Sequence, residues 1–457
     1  MKNELSSACW LLCLVVGGLA ALSFLPPLSW EGQPLRKVDL LADIRPTVEE
    51  PEVWSDSDSI ALPPPVKLAF VDTCRTGLTC IEDYADSTAR GMQPFYAALS
   101  RIQELDRPVR IAYFGDSFIE ADILTADLRA RLQERFGGCG VGYVPITSPI
   151  HGFRPTVRHR FEGWESHACT DSIGFDRKLQ GIAGSYFRPQ AGAFVELKGQ
   201  TKYASRLDTC EVSILYFENE GGGAVRSAVN GSREGSLFEL EPADRLQTLA
   251  VEGRIGQVRW TVEQADSARF FGVALEGRRG ISLDNFSVRG SSGLHLRHIP
   301  LATLQQFGRV RPYDLIVLQF GLNVATERGT NYSFYQKGML AVIEHLKKAF
   351  PDAGILLVSV GDRESKNDEG ELRTLPGVRN LIRYQQAIAA EGAVAFWNLY
   401  EGMGGPGSIV EMVDRKQANL DYTHINFKGG SHLAGLLFET LEYGLENYQK
   451  RKAYEAE

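Results

Sequence analysis

No run of more than three basic residues occurs in the 457-residue sequence, and its aromatic residues are not interleaved with lysine or arginine. With a net charge of −8, that leaves no electrostatic footprint for a nucleic-acid partner. No C-x-x-C pair and no tight histidine cluster accompanies the seven cysteines, which argues against a metal site. His151, His159 and His167 are loosely spaced and read as scattered polar residues. No internal repeat is present. The sequons at Asn230, Asn285 and Asn331 read as chance in a bacterial chain.

Charge is also missing from residues 5–30, and 8–25 is mostly apolar, near the ~20 residues that cross a bilayer. Lys2 stays on the inner side by the positive-inside bias. No small-x-small cleavage site follows, because Pro26 and Pro27 come soon after the apolar run. Residues 1–30 are therefore expected to be an uncleaved signal anchor, a transmembrane helix rather than a removed signal peptide. Neither Cys9 nor Cys13 has a lipobox before it. The expected location is the bacterial inner membrane, with the remainder of the chain in the periplasm. Residues 31–65 are rich in Pro, Asp and Glu, so 31–90 is expected to be a stalk and lead-in. In an oxidising periplasm Cys74 and Cys80 can close a small disulfide, and Cys169 and Cys210 are candidates for a second.

What is present beyond the stalk has an alternating rhythm. Helical spacing over 92–104 precedes a β-rich run at 108–114, and Leu124, Leu128, Leu132 and Phe136 mark another helix. Apolar strand-like runs at 314–320, 354–360 and 394–397 alternate with helical patterns at 334–350, 378–390 and 429–448. Such alternation predicts an α/β domain whose parallel sheet is covered on both faces. Residues 150–288 differ. Short alternating runs at 193–197, 210–216 and 257–262, separated by turn residues such as Asn230-Gly231, predict an inserted all-β sandwich. The expected boundaries are 91–150 and 289–457 for the α/β domain and 151–288 for the insert.

Three motifs carry chemistry. Gly115-Asp116-Ser117 closes a buried strand, and in open α/β sheets ligands bind at the carboxyl ends of strands. Asp421-Tyr-Thr-His424 lies just before the last helix. A serine hydroxyl is a weak nucleophile until a base takes its proton, and a carboxylate that fixes the imidazole makes histidine such a base. Gly321-Leu-Asn323 follows an apolar strand, and an Asn amide there can donate to a developing oxyanion. Gly290, in a Ser-rich turn, can offer a backbone N–H to the same oxyanion.

In order, these segments resemble the four sequence blocks of SGNH (GDSL-like) hydrolases. The resemblance implies a flavodoxin-like, three-layer fold over about 90–150 and 288–450. It implies Ser117 as nucleophile, His424 as base and Asp421 as its partner, with Ser117, Gly290 and Asn323 forming the oxyanion hole. The stretches 115–122, 137–143, 318–324 and 421–430 are closer still to peptidoglycan O-acetylesterase-like members, which also carry a β-sandwich insert. The implied activity is a carbohydrate O-acetylesterase acting on an O-acetylated glycan such as peptidoglycan, with no metal or organic cofactor. An O-acyltransferase using the same acyl-enzyme, and a non-catalytic glycan-binding protein, are the alternatives.

Overall fold

The computed structural model describes residues 73–85 and 91–456, apart from positions 202, 205, 266 and 368, together with 10–11, 13–15, 17–18, 29–30 and 33–34. Most of the expected anchor, and the expected stalk over 31–65 beyond residue 34, lie outside the described residues. Among the described residues no helix is long and apolar enough to cross a membrane. The chain divides into two units, Met1–Ala69 and Phe70–Glu457, and the second holds both sheets described here.

A strand buried on both faces must pair on both edges and be covered by helices. The apolar runs solve this as a six-stranded sheet. In chain order its strands are β1 (Glu82–Asp83), β2 (Val109–Gly115), β3 (Ile281–Ser287), β4 (Leu315–Gln319), β5 (Gly354–Val358) and β6 (Ala395–Trp397). Their spatial order is β3-β2-β4-β5-β6-β1. All neighbours are parallel except β6 with β1. Helices α1 (Gln93–Ser100), α2 (Thr125–Phe136), α3 (Leu301–Val310), α4 (Ser333–Ala349), α5 (Pro376–Glu391) and α6 (Phe427–Ala456) complete this region. Of these, α6 packs on α1 and α2, whereas α3, α4 and α5 pack in succession.

The antiparallel region is plain, but its outline differs from expectation. Its nine strands are joined by hydrogen bonds into one sheet that folds over on itself, so that Trp260 of Gln257–Ala265 meets Ser213 of Cys210–Asn219 across the core. The long strand Ser185–Gly199 accounts for this: it pairs with Val157–Ala168 and Gln257–Ala265, and through Phe187 with Phe270. The sheet encloses its own apolar core, with Leu197, Phe217, Trp260 and Phe270 at its centre. It begins earlier than residue 151, because Gly142–Pro145 pairs with Ala268–Glu276. It also ends earlier than 288. Ile281–Ser287 alternates in sequence like an insert strand, yet pairs in parallel with β2 and is buried on both faces.

Two further expectations need correction. Residues 73–85 do not all belong to a lead-in: β1 extends the parallel sheet, and Thr79 O accepts a 2.9 Å hydrogen bond from Trp397 Nε1. The Cys74–Cys80 disulfide is formed in this segment. Cys169 and Cys210 do not pair and are free thiols. Cys169 lies against Gly184, whereas Cys210 opens the strand Cys210–Asn219 beside Ile255.

Buried ion pairs join the two sheets. Arg311, at the end of α3, contacts Glu276 of the antiparallel sheet at 2.9 Å and Asp284 of β3 at 2.6 Å. Arg110 of β2 reaches Glu276 at 2.7 Å. Burial works to raise the Glu276 pKa, but Arg311 and Arg110 outweigh it and hold the carboxyl at about 2. Glu276 therefore stays charged inside the protein because both guanidiniums face it.

Candidate active site

Three of the loops that meet at the site leave the carboxyl ends of parallel strands, and the fourth, with Asp421 and His424, precedes α6. Ser117 follows β2, Gly290 follows β3 and Asn323 follows β4, three neighbouring strands. In chain order the five parallel strands run second, first, third, fourth, fifth, and open α/β sheets bind ligands where such an order reverses, here beside the first strand.

The loop after β2 is fixed by its own acid. Asp116 is 1 % exposed, and its Oδ1 accepts the Phe118 N–H at 3.0 Å. Gly321 and Leu322 also direct backbone N–H groups at this carboxylate. Burial raises the Asp116 pKa to about 6, against these hydrogen bonds and the nearby His424, which lower it. Asp116 thus ties the serine turn to the Asn323 loop. Sequence reading missed it because an Asp before a helix looks like an ordinary cap. Asn285 Nδ2 donates to Ile119 O and to Thr125 Oγ1, each at 2.7 Å, and Arg289 Nε meets Glu120 at 3.0 Å. Asn285 is therefore a buried tether, its sequon turned inward.

Ser117, Asp421 and His424 come together. Ser117 Oγ lies 3.1 Å from His424 Nε2, and His424 Nδ1 lies 2.8 Å from Asp421 Oδ2. The second Asp421 oxygen accepts the backbone N–H groups of Thr423 and His424, both at 3.0 Å. Burial opposes ionisation of Asp421, but the backbone and ring N–H groups of His424, with the Thr423 N–H, prevail and lower its pKa. With Nδ1 facing a carboxylate, the ring proton belongs on Nδ1 and Nε2 is left to accept from the serine hydroxyl.

The histidine is held by a closed loop. Asn419 N–H donates to His424 O at 2.8 Å, and Asn426 N–H donates to Gln417 O at 3.0 Å. Tyr422 takes φ 50°, a left-handed conformation that bends the chain between acid and base. Asn426 Oδ1 then accepts the Lys428 N–H at 3.0 Å at the start of α6. Gly430, in the first turn of α6, passes so close to the serine loop that a Cβ there would stand 1.8 Å from Ile123 O. Glycine is what allows the two loops to touch.

Asn323 Nδ2 donates to Ser291 O at 3.0 Å and lies 3.4 Å from Asp116 Oδ2. It therefore sits between the serine turn and the loop that carries Gly290. Gly290 takes φ 75°, with open space where a side chain would be. Among the described residues neither the Ser117 N–H nor the Gly290 N–H donates a hydrogen bond. A second hydroxyl–imidazole pair lies alongside: Ser291 Oγ is 2.8 Å from His295 Nδ1. Burial lowers the His295 pKa to about 4, with His298 adding to the shift, so this ring is neutral at pH 7.

A histidine bridged between a carboxylate and a serine can take the serine proton, and the serine can then attack a carbonyl. No protein-family description matches the chain, and no curated protein does. Among solved structures, a family two carbohydrate esterase from Cellvibrio japonicus matches with TM-score 0.27 and 8% identity, over 67% of this chain and 98% of that one. A salicylyl-acyltransferase from a tetracycline biosynthetic pathway matches with TM-score 0.27 and 14% identity, over 62% and 97%. A peptidoglycan O-acetylesterase matches with TM-score 0.66 and 20% identity, over 80% of this chain and 99% of that one. Along nearly its whole length, that esterase shares its fold with this chain.

Proposed function

We propose that the protein is an SGNH-type serine esterase with a flavodoxin-like catalytic region, and that it removes O-acetyl groups from a cell-envelope glycan such as peptidoglycan. One observation carries the reading: Asp421, His424 and Ser117 form an unbroken chain of contacts at 2.8 and 3.1 Å at the carboxyl edge of a parallel sheet. His424 takes the Ser117 proton as Oγ attacks the acetyl carbonyl. The oxyanion of the tetrahedral intermediate is received by the Ser117 and Gly290 N–H groups and the Asn323 amide. His424 then gives its proton to the departing sugar oxygen, leaving acetyl-Ser117. Water, activated by the same imidazole, releases acetate and restores the serine.

The Cys74–Cys80 disulfide supports placement in an oxidising compartment, and we assign the catalytic unit to the periplasm, anchored at the inner membrane through its N-terminus. The deciding experiment measures acetate release from O-acetylated peptidoglycan by the full chain and by Ser117→Ala. Release that disappears in the variant supports the reading, whereas release that persists in Ser117→Ala removes it.

A further inference from the structure

A second feature borders the catalytic loops and is not used by the ester chemistry. A cavity of about 560 Å³ opens between α5 and the segment after β5, with Glu364, Arg373, Thr374, Arg379, Arg383 and Gly407 in its wall. In a chain of net charge −8, this wall holds three arginines against one acid. Arg373 is paired with Glu371 at 2.6 Å. Among the described residues no carboxylate pairs with Arg379 or Arg383. These two stand one helical turn apart in the first half of α5.

The cavity is tied to the site by three consecutive residues. Glu364, in its wall, donates its backbone N–H to Tyr422 O at 3.1 Å, between Asp421 and His424. Arg363 Nη1 reaches Leu322 O, beside Asn323, at 3.4 Å, and Arg363 O accepts the Leu375 N–H at 3.0 Å. Beneath them the Asp362 carboxylate is occupied by Thr374 Oγ1 at 2.7 Å and the Ile409 N–H at 3.1 Å. The acids here are engaged by the protein itself, while Arg379, beside the Tyr400 hydroxyl, and Arg383 line the cavity without an ion-pair partner among the described residues. Guanidinium groups match carboxylates in a bidentate geometry.

We propose that this cavity is an anion subsite in which Arg379 and Arg383 hold a carboxylate of the glycan whose ester faces Ser117. The inference rests on the proposed glycan specificity and narrows it to acidic glycans, in which a sugar-borne or peptide carboxylate lies near the O-acyl group.

The test uses unacetylated probes, so it does not depend on turnover. Calorimetry compares the full chain binding the disaccharide of N-acetylglucosamine and N-acetylmuramic acid with binding of the methyl ester of the same disaccharide. Methylation is expected to weaken binding roughly tenfold, and added salt to erase much of the difference. In Arg379→Gln/Arg383→Gln the two probes should bind alike, while Arg379→Lys/Arg383→Lys should retain part of the preference. Equal affinities in the unsubstituted protein, no measurable binding of either probe, or a preference that survives the Gln substitutions would each overturn the subsite. Acetate release from O-acetylated peptidoglycan, measured separately, distinguishes failure of this subsite from failure of the esterase reading.

Discussion

The carboxyl edge of the parallel sheet and the seam between the two sheets both bury carboxylates, and they treat them in opposite ways. At the seam, Glu276 and Asp284 face Arg110 and Arg311, and Glu276 stays ionised down to about pH 2. At the edge, Asp116 has backbone amides and the Asn323 amide as partners, and its pKa rises to about 6. A carboxylate fixed by guanidiniums keeps its charge and holds structure together. One held by neutral donors is close to changing its charge near neutral pH. Asp122 lies only six residues beyond Asp116 and belongs with the seam in this respect. Burial opposes its charge, but Arg129 and Arg154 outweigh burial and press its pKa far below the usual range.

If the division is real, substituting Ser117 or Asn323 at the edge should alter rate, and substituting the buried ion pairs of the seam should alter stability. The largest effect is expected for Ser117→Ala, a loss of roughly 10³–10⁶-fold in kcat with an unchanged melting temperature. Next, Glu276→Ala strands two buried guanidiniums and should cost about 3–5 kcal/mol in denaturant unfolding, with kcat retained where the variant is folded. A large fall in kcat in the folded variant would abolish the division. Asn323→Ala should lower kcat by roughly 10²–10³-fold, read from steady-state kinetics on an aryl acetate.

Acid titration sharpens the same contrast. The folded pKa of Glu276 lies below its ordinary 4.5, so its contribution is complete above pH 4.5 and is lost as pH falls towards 2. Asp116 has the opposite sign. Its folded pKa lies above 3.8, so in this window the unfolded chain gives up the proton first and stability declines as pH rises from about 4 to 6. The smallest effect follows from this: Asp116→Asn should remove that decline, worth at most about 3 kcal/mol, in chemical unfolding followed from pH 4 to 7. A decline that persists in the variant would assign it to another group.

The candidate site was more legible in the sequence than the seam. Asp421 and His424 are three residues apart, so one turn of chain can join them, and Ser117 closes an apolar run that could only be a buried strand. Asp116 was not legible, because its role depends on N–H groups from residues 321 and 322, brought beside it only when β4 pairs with β2. The strand Ile281–Ser287 was misplaced for a related reason: polar residues at alternate positions suggest one solvated face, yet Asp284 and Ser282 are buried because Arg311 reaches both. Long-range partners of buried polar residues leave no local periodicity. The joining of the antiparallel strands by hydrogen bonds was hidden in the same way, since nothing local in Ser185–Gly199 says that it pairs with strands on both sides.

Ser117 and His424 are separated by 307 residues. A growing chain therefore displays its serine long before it has the imidazole that faces it. The base takes its place only once α6 settles against the serine loop, at the point where Gly430 passes Ile123. Docking of such distant segments is among the slower events of folding. The contact between serine and imidazole is thus completed only in molecules that have finished folding.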